Sequence, residues 1–244
     1  CQIAHRSQHK KLCKKRAAEL HDEQLFFKDP PPPEECPICM LPLPISAAQV
    51  TFFSCCGKII CYGCVFAGAA TGAKDICPFC RTPPPSSDED EVKRVKKLME
   101  KDNAHAYYQL GGYYREGMKG MPQDTAKANE LFLKAGQLGF AMAYFNMGCA
   151  YENGEGVEID MKKANYYYEL AAMNGSVKAR HNLGNNEARA GNQQRGMKHL
   201  LLAARAGHTN ALNTVKEGYM NGLITKEEYA NTLREYQKIQ DEMK

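Results

Sequence analysis

The stretch Met147-Gly148-Cys149-Ala150-Tyr151-Glu152-Asn153-Gly154-Glu155-Gly156-Val157, continued by Asp160, Lys163-Ala164 and Ala171-Ala172, restates a pattern already written once upstream. The earlier copy reads Leu110-Gly111, Tyr114, Gly117, Asp124, Lys127-Ala128 and Ala135. The pattern Ala-x-x-x-Leu recurs at Ala106/Leu110, Ala143/Met147, Ala179/Leu183 and Ala211/Val215, and a closing glycine at Gly139, Gly175 and Gly207. Both series step by 36 and then by 32 residues between the later copies. A period in the mid-thirties holding two helical runs builds a helical solenoid, because one repeat cannot bury its apolar face alone. Small Ala and Gly residues let paired helices approach closely, while Tyr114, Tyr151, Leu131 and Tyr167 fill the space between them. The fold class expected is therefore mostly α.

The third copy, Leu183-Gly184 through Gly207, is shorter by about four residues in its loop. The fourth keeps only its first helix, then Asn221-Gly222 and a helix from Thr225. Thr225 with Glu228 three residues on is a capping box, and the polar helix running through Gln240 suits the end of a stack. His181, His199 and His208 lack metal-ligand spacing, Tyr166-Tyr167-Tyr168 reads as helix packing plus surface, and Cys149 as a buried small residue.

Upstream, Cys36 to Arg81 holds eight of the eleven cysteines, as Cys36-Pro37-Ile38-Cys39, Cys55-Cys56, Cys61-Tyr62-Gly63-Cys64 and Cys77-Pro78-Phe79-Cys80. Four pairs suffice for two tetrahedral zinc ions, since a Cys-x-x-Cys turn supplies two thiolates from one short loop. A disulfide framework would need an oxidising compartment and gives no reason for the two-residue gap. Cys55 and Cys56 are adjacent, so both reach one metal only if the chain turns between them, and Gly57 makes such a turn possible.

The order and spacing of these pairs resemble an all-cysteine RING finger. The resemblance implies interleaved ligation, with one zinc on Cys36, Cys39, Cys61 and Cys64 and the other on Cys55, Cys56, Cys77 and Cys80. It also implies a ubiquitin ligase without a nucleophile of its own, which holds a ubiquitin-charged conjugating enzyme in a reactive geometry. The positions that contact enzyme and ubiquitin in that family fall on Ile38, Pro78 and Arg81. An aromatic usually lines the same groove; the chain has no Trp, and Phe66 is the nearest candidate. The repeats resemble Sel-one-like repeats, relatives of tetratricopeptide repeats marked by the Gly-Glu-Gly loop, which implies a concave surface binding a protein substrate or scaffold.

The opening Cys1-Gln2 with His9-Lys10 and Cys13 resembles the closing third of a MYND zinc finger. Cys1, His9 and Cys13 form at most an incomplete metal site, His9 and Cys13 sharing one helix face. Residues 1 to 21 carry six Lys or Arg against one Glu, leaving 26 basic and 27 acidic residues elsewhere. The basicity of the +4 chain is local, and nucleic acid is not an indicated partner. No apolar run reaches the eighteen or so residues that span a bilayer, and paired thiols read as metal ligands fit a reducing intracellular setting, cytoplasmic or nuclear.

The expected organisation is a basic helix over 1–29, with Pro30 to Pro33 stiffening the entry into a RING-type finger over 30–82. A Pro, Ser and acid linker follows over 83–91, then a repeat domain with a capping helix over 92–244 that folds independently of the finger. The leading function is a zinc-binding RING-type ligase adaptor. The alternative is a non-catalytic, zinc-stabilised interaction scaffold.

Overall fold

The computed structural model describes residues 2–32, 34–43, 49–70 and 76–242, with no side chain described for 2–8 or 242. Its elements run α1 (Gln2–Phe26), β1 (Val50–Phe53), β2 (Lys58–Cys61), α2 (Tyr62–Ala70), α3 (Asp88–Met99), α4 (Ala104–Glu116), α5 (Thr125–Gln137), α6 (Ala141–Asn153) and α7 (Met161–Met173). They continue with α8 (Val177–Arg189), α9 (Gln193–Arg205), α10 (Thr209–Met220) and α11 (Lys226–Glu242). Two compact units emerge, residues 31–167 and residues 1–30 with 168–244.

The unit of residues 31–167 carries the cysteine-rich module and the first repeats. Strands β1 and β2 form an antiparallel hairpin with Val50 opposite Cys61 and Phe53 opposite Lys58. Cys36, Ile60 and Cys77 are buried at the centre of the module, with Leu43, Phe53 and Val65 packed around them. Helix α3 starts at Asp88, inside the segment expected as linker: Ser87 caps it by accepting from the Asp90 amide, and Asp88 to Glu91 lie at its positive end. Val92 and Val95 of α3 are buried with Ala106, Leu110 and Tyr113 of α4 and Leu131 of α5, and Phe52 of β1 packs on this cluster. The finger and the first repeat therefore share apolar contacts, where residues 92–244 were expected to fold on their own. A second core gathers Ala128, Phe132 and Ala135 of α5 with Ala143 and Met147 of α6, flanked by Tyr151 and Tyr167. Tyr167 stacks on Tyr151 while Tyr166 is exposed, and Cys149 is half-buried instead of buried.

In the other unit, α8 and α9 approach so closely that a methyl group at Gly184 would lie 2.6 Å from Leu200 Cγ. Met197, Leu200, Leu201, Ala203 and Ala204 of α9 form its core with Ala211 and Val215 of α10 and with Ile224. The capping box is formed: the Thr225 amide donates to Glu228 Oε2 at 2.8 Å and the Glu228 amide to Thr225 Oγ1 at 3.2 Å. Helix α1, expected as a separate element over 1–29, belongs to this unit, and its Leu25 is fully buried there.

Candidate metal centre

Two Cys-x-x-Cys segments fold into the same turn. The Met40 amide donates to Cys36 O at 2.9 Å and the Cys36 amide to Leu41 O at 2.9 Å; the Arg81 amide donates to Cys77 O at 2.8 Å and the Cys77 amide to Thr82 O at 2.9 Å. The residue after each turn, Met40 (φ 58°) or Arg81 (φ 60°), is left-handed, which reverses the chain and leaves both thiols of the pair on one side. Cys61 closes β2 and Cys64 lies in the first turn of α2, so a strand-to-helix junction supplies the third pair.

The adjacent Cys55 and Cys56 occupy the tip of the hairpin. There the Cys56 and Gly57 amides both donate to Phe53 O, at 3.3 and 2.8 Å, and Gly57 takes φ 69°. The backbone bends between the two cysteines, so their thiols, which would oppose each other on an extended strand, converge.

The sulfurs assemble into two groups, Cys36, Cys39, Cys61 and Cys64, and Cys55, Cys56, Cys77 and Cys80, each with all members within 4.8 Å of one another. First and third pairs meet, and second and fourth, so the groups interleave along the chain. Sγ–Sγ distances are 3.8 Å for Cys39–Cys61, 3.8 Å for Cys56–Cys77 and 3.3 Å for Cys55–Cys80. Four sulfurs at about 2.3 Å from a tetrahedral zinc are separated by about 3.8 Å, so the donor set fits that ion. All described cysteines are free thiols. Burial raises the Cys36 thiol, but the amides of Cys39, Cys61 and Ile38 outweigh it and bring it to about 6. At Cys80 the Thr82 hydroxyl and amide likewise overcome burial and bring the thiol to about 6. Burial pushes Cys56 up to about 11 and Cys64 up to about 12. Such a set ionises completely only around a cation.

Around these turns, Ile38 is 40% exposed, Pro78 is half-buried against Gly68 of α2, and Arg81 is exposed, its guanidinium without a hydrogen bond or ion pair among the described residues. Phe66 projects from α2 at 69% exposure. At the other end of the chain, Cys13 Sγ lies 3.6 Å from His9 Nδ1 on exposed α1, and no third described ligand joins them; Cys1 lies outside the described residues.

Sequence reading missed the polar link between finger and first repeat. Ser54 Oγ donates to Glu91 Oε2 at 2.7 Å, and Tyr113 OH to Glu91 Oε1 at 2.9 Å. Asn103 caps α4 with its oxygen, accepting from the Ala106 amide, while its Nδ2 donates to Gly57 O at 3.2 Å. The His105 ring, 3.1 Å from Glu34, holds that carboxyl below the ordinary carboxylate range. Glu91 and Asn103 read in sequence as ordinary helix-start residues, so nothing local marked these longer contacts.

Fold and site together define a helical-repeat protein carrying a cysteine-rich module able to hold metal ions. The repeats are Sel1 repeats: residues 104–140, 141–176 and 178–208 match that family, and no RING or MYND family matches. Two Arabidopsis thaliana proteins named ERAD-associated E3 ubiquitin-protein ligase component, HRD3B and HRD3A, are 30% identical over 95 residues and 35% identical over 87. These alignments cover 37% and 34% of this chain but only 16% and 13% of the relatives' length. A crystal structure of a Sel1 repeat protein from Oxalobacter formigenes aligns with TM-score 0.52 and 26% identity, over 63% of this chain and 62% of that one.

Proposed function

We propose that this chain is an intracellular RING-type ubiquitin-ligase adaptor, with a two-zinc finger that recruits a ubiquitin-charged conjugating enzyme and Sel1 repeats that hold a protein substrate or scaffold. The observation that carries this reading is the interleaved pair of four-cysteine groups, bordered by Ile38, Pro78 and Arg81 at the positions the RING family uses. Zinc held by Cys36, Cys39, Cys61 and Cys64, and by Cys55, Cys56, Cys77 and Cys80, would neutralise the thiolates and tie the four turns into one platform.

On that platform Ile38 offers an exposed apolar anchor to the enzyme. Arg81 offers an unpaired guanidinium whose planar fork can bond enzyme and ubiquitin together. Its backbone is fixed on both sides by the Arg81-to-Cys77 and Cys77-to-Thr82 hydrogen bonds, so little chain entropy remains to be lost on binding. The relatives' printed names, components of a ubiquitin ligase, support placing Sel1 repeats in such an assembly.

Elemental analysis should give two zinc ions per chain; one or none removes the platform. With an active conjugating enzyme, Arg81→Ala should slow ubiquitin discharge at least tenfold while zinc content holds, Arg81→Lys should recover part of the rate, and Ile38→Ala should weaken enzyme binding. The scaffold reading is favoured by the way the finger packs on the first repeat through Glu91. It replaces the ligase reading if a broad enzyme panel yields no discharge, or if Arg81→Ala matches wild type.

A further inference from the structure

Among its described side chains, helix α1 touches its own unit through its last turns. Residues 9 to 20 are exposed all round, whereas His21, Asp22 and Phe26 are half-buried and Leu25 is completely buried. These four residues meet a formed set of complementary groups on α7, α8 and α9. Arg180 Nη1 donates to Leu25 O at 2.8 Å, capping a carbonyl that the helix end leaves open. The Phe26 ring lies 4.6 Å from the His199 ring, with the Arg195 guanidinium 5.1 Å and the Lys198 ammonium 5.7 Å from its centre. Arg195 Nη1 donates to Asp22 Oδ1 at 2.7 Å, and His21 Nε2 lies 3.4 Å from Glu169 Oε2.

The receiving side holds its shape through contacts of its own. Arg195 Nε donates to Glu187 Oε1 at 3.1 Å and its other terminal nitrogen lies 3.8 Å from Glu169. His199 forms the floor at 0% exposure, with both ring nitrogens unpaired. The Phe26 ring meets this floor ring to ring, through packing and not through a hydrogen bond. From Asp22 to Phe26 the footprint is five residues long and combines one acid, one buried aliphatic side chain, one ring and one helix-end carbonyl, with His21 at its edge. That is the size and composition of a linear recognition motif, and it is far smaller than the 25-residue helix that supplies it.

We propose that the third repeat carries a receptor site for a helix ending in Asp-x-x-Leu-Phe, which α1 fills in cis and which a partner helix with the same ending enters by displacing it. The two cations, Arg180 and Arg195, select an acidic residue three positions before the Leu-Phe pair and a helix end that stops there. Because α1 belongs to the same chain as the site it fills, a partner must outcompete an intramolecular occupant, and α1 sets the threshold that partner must exceed. This site is built from residues of the other unit than the finger and does not depend on ligase activity.

The test uses the full zinc-loaded chain and a fluorescein-labelled peptide of residues 14–29. Leu25→Asp in the chain vacates the site, and anisotropy should then report binding at least tenfold tighter than to wild type. The same peptide carrying Leu25→Asp should bind neither chain. A vacated chain that binds the native peptide no tighter than wild type does, or no better than it binds the altered peptide, overturns the proposal. Should Leu25→Asp fail to fold by circular dichroism, Phe26→Trp carries the test, since the chain has no other tryptophan. Its emission should be blue-shifted on His199 and move to the red as unlabelled peptide reaches millimolar concentration; emission that stays put overturns the displacement.

Discussion

Removing the carboxylate of Glu91 should loosen the joint between the finger and the first repeat, and the structure sets the size of the effect. Glu91 accepts from two hydroxyls on different elements, Ser54 at 6% exposure and Tyr113 at 4%. Glu91→Ala strands both, and each unpaired buried donor costs about 1–3 kcal/mol. The expected loss is about 3 kcal/mol, which for a chain of this size lowers Tm by roughly 6–12 °C. Ser54→Ala and Tyr113→Phe should each cost about 1–1.5 kcal/mol alone. In the Glu91→Ala background each should cost nothing and recover part of the loss, because it removes a hydroxyl that the first substitution stranded. The assay is thermal unfolding of the zinc-loaded protein at neutral pH, followed by circular dichroism across this double-mutant cycle. A Glu91→Ala Tm within about 2 °C of wild type, or full additivity of the three substitutions, would refute the idea that the carboxylate joins the two parts.

Chelating the zinc should erode helical signal from α3 and α4 as well as the finger, because Phe52, Ser54 and Gly57 contact them; limited proteolysis that leaves 88–116 as resistant as before would show the repeat to be self-sufficient. Burial, then Arg180 and Arg195, hold His199 down to about 3, so below about 6.5 the unfolded chain takes up a proton that the folded chain refuses. Stability should therefore fall as pH drops from about 6.5 toward 3, by up to about 1.4 kcal/mol per unit from this residue, and His199→Leu should flatten that slope in urea titrations at pH 7 and 5. Gly184→Ala gains helix propensity of about 1 kcal/mol but forces a methyl to 2.6 Å from Leu200 and 3.0 Å from the Gly196 carbonyl, so a net loss of about 1–2 kcal/mol is expected in the same titration.

The repeats were legible because solenoid packing is local: Ala106, Ala143, Ala179 and Ala211 all prove to be fully buried at the spacing that announced them. The sulfur groups were legible for a related reason, since two-residue gaps dictate turns. Their pairing was not, and came only through resemblance to a family; spacing alone permits several groupings of four pairs. The meeting of Cys55 and Cys56 rested on a turn that Gly57 made plausible and that the two amides on Phe53 O establish. What stayed hidden is contact over long sequence distance. Asn103 with Gly57, Glu91 with Ser54 and Leu25 with Arg180 leave no period and no motif, because each joins single residues across separate elements. The linker drawn over 83–91 ends at Ser87, because Ser87 and the four acids after it do what their types suggest, capping and charging the start of α3.

The hydrogen bond from Arg180 to the Leu25 carbonyl joins residues 155 positions apart. Ribosomes add roughly 5–20 residues per second, so α1 emerges roughly 8–30 s before the helices that receive its end. During that interval Leu25 and Phe26 have no intramolecular seat. A nascent chain of this protein thus displays a helix end with a bare Leu-Phe pair while residues 27–180 are being made.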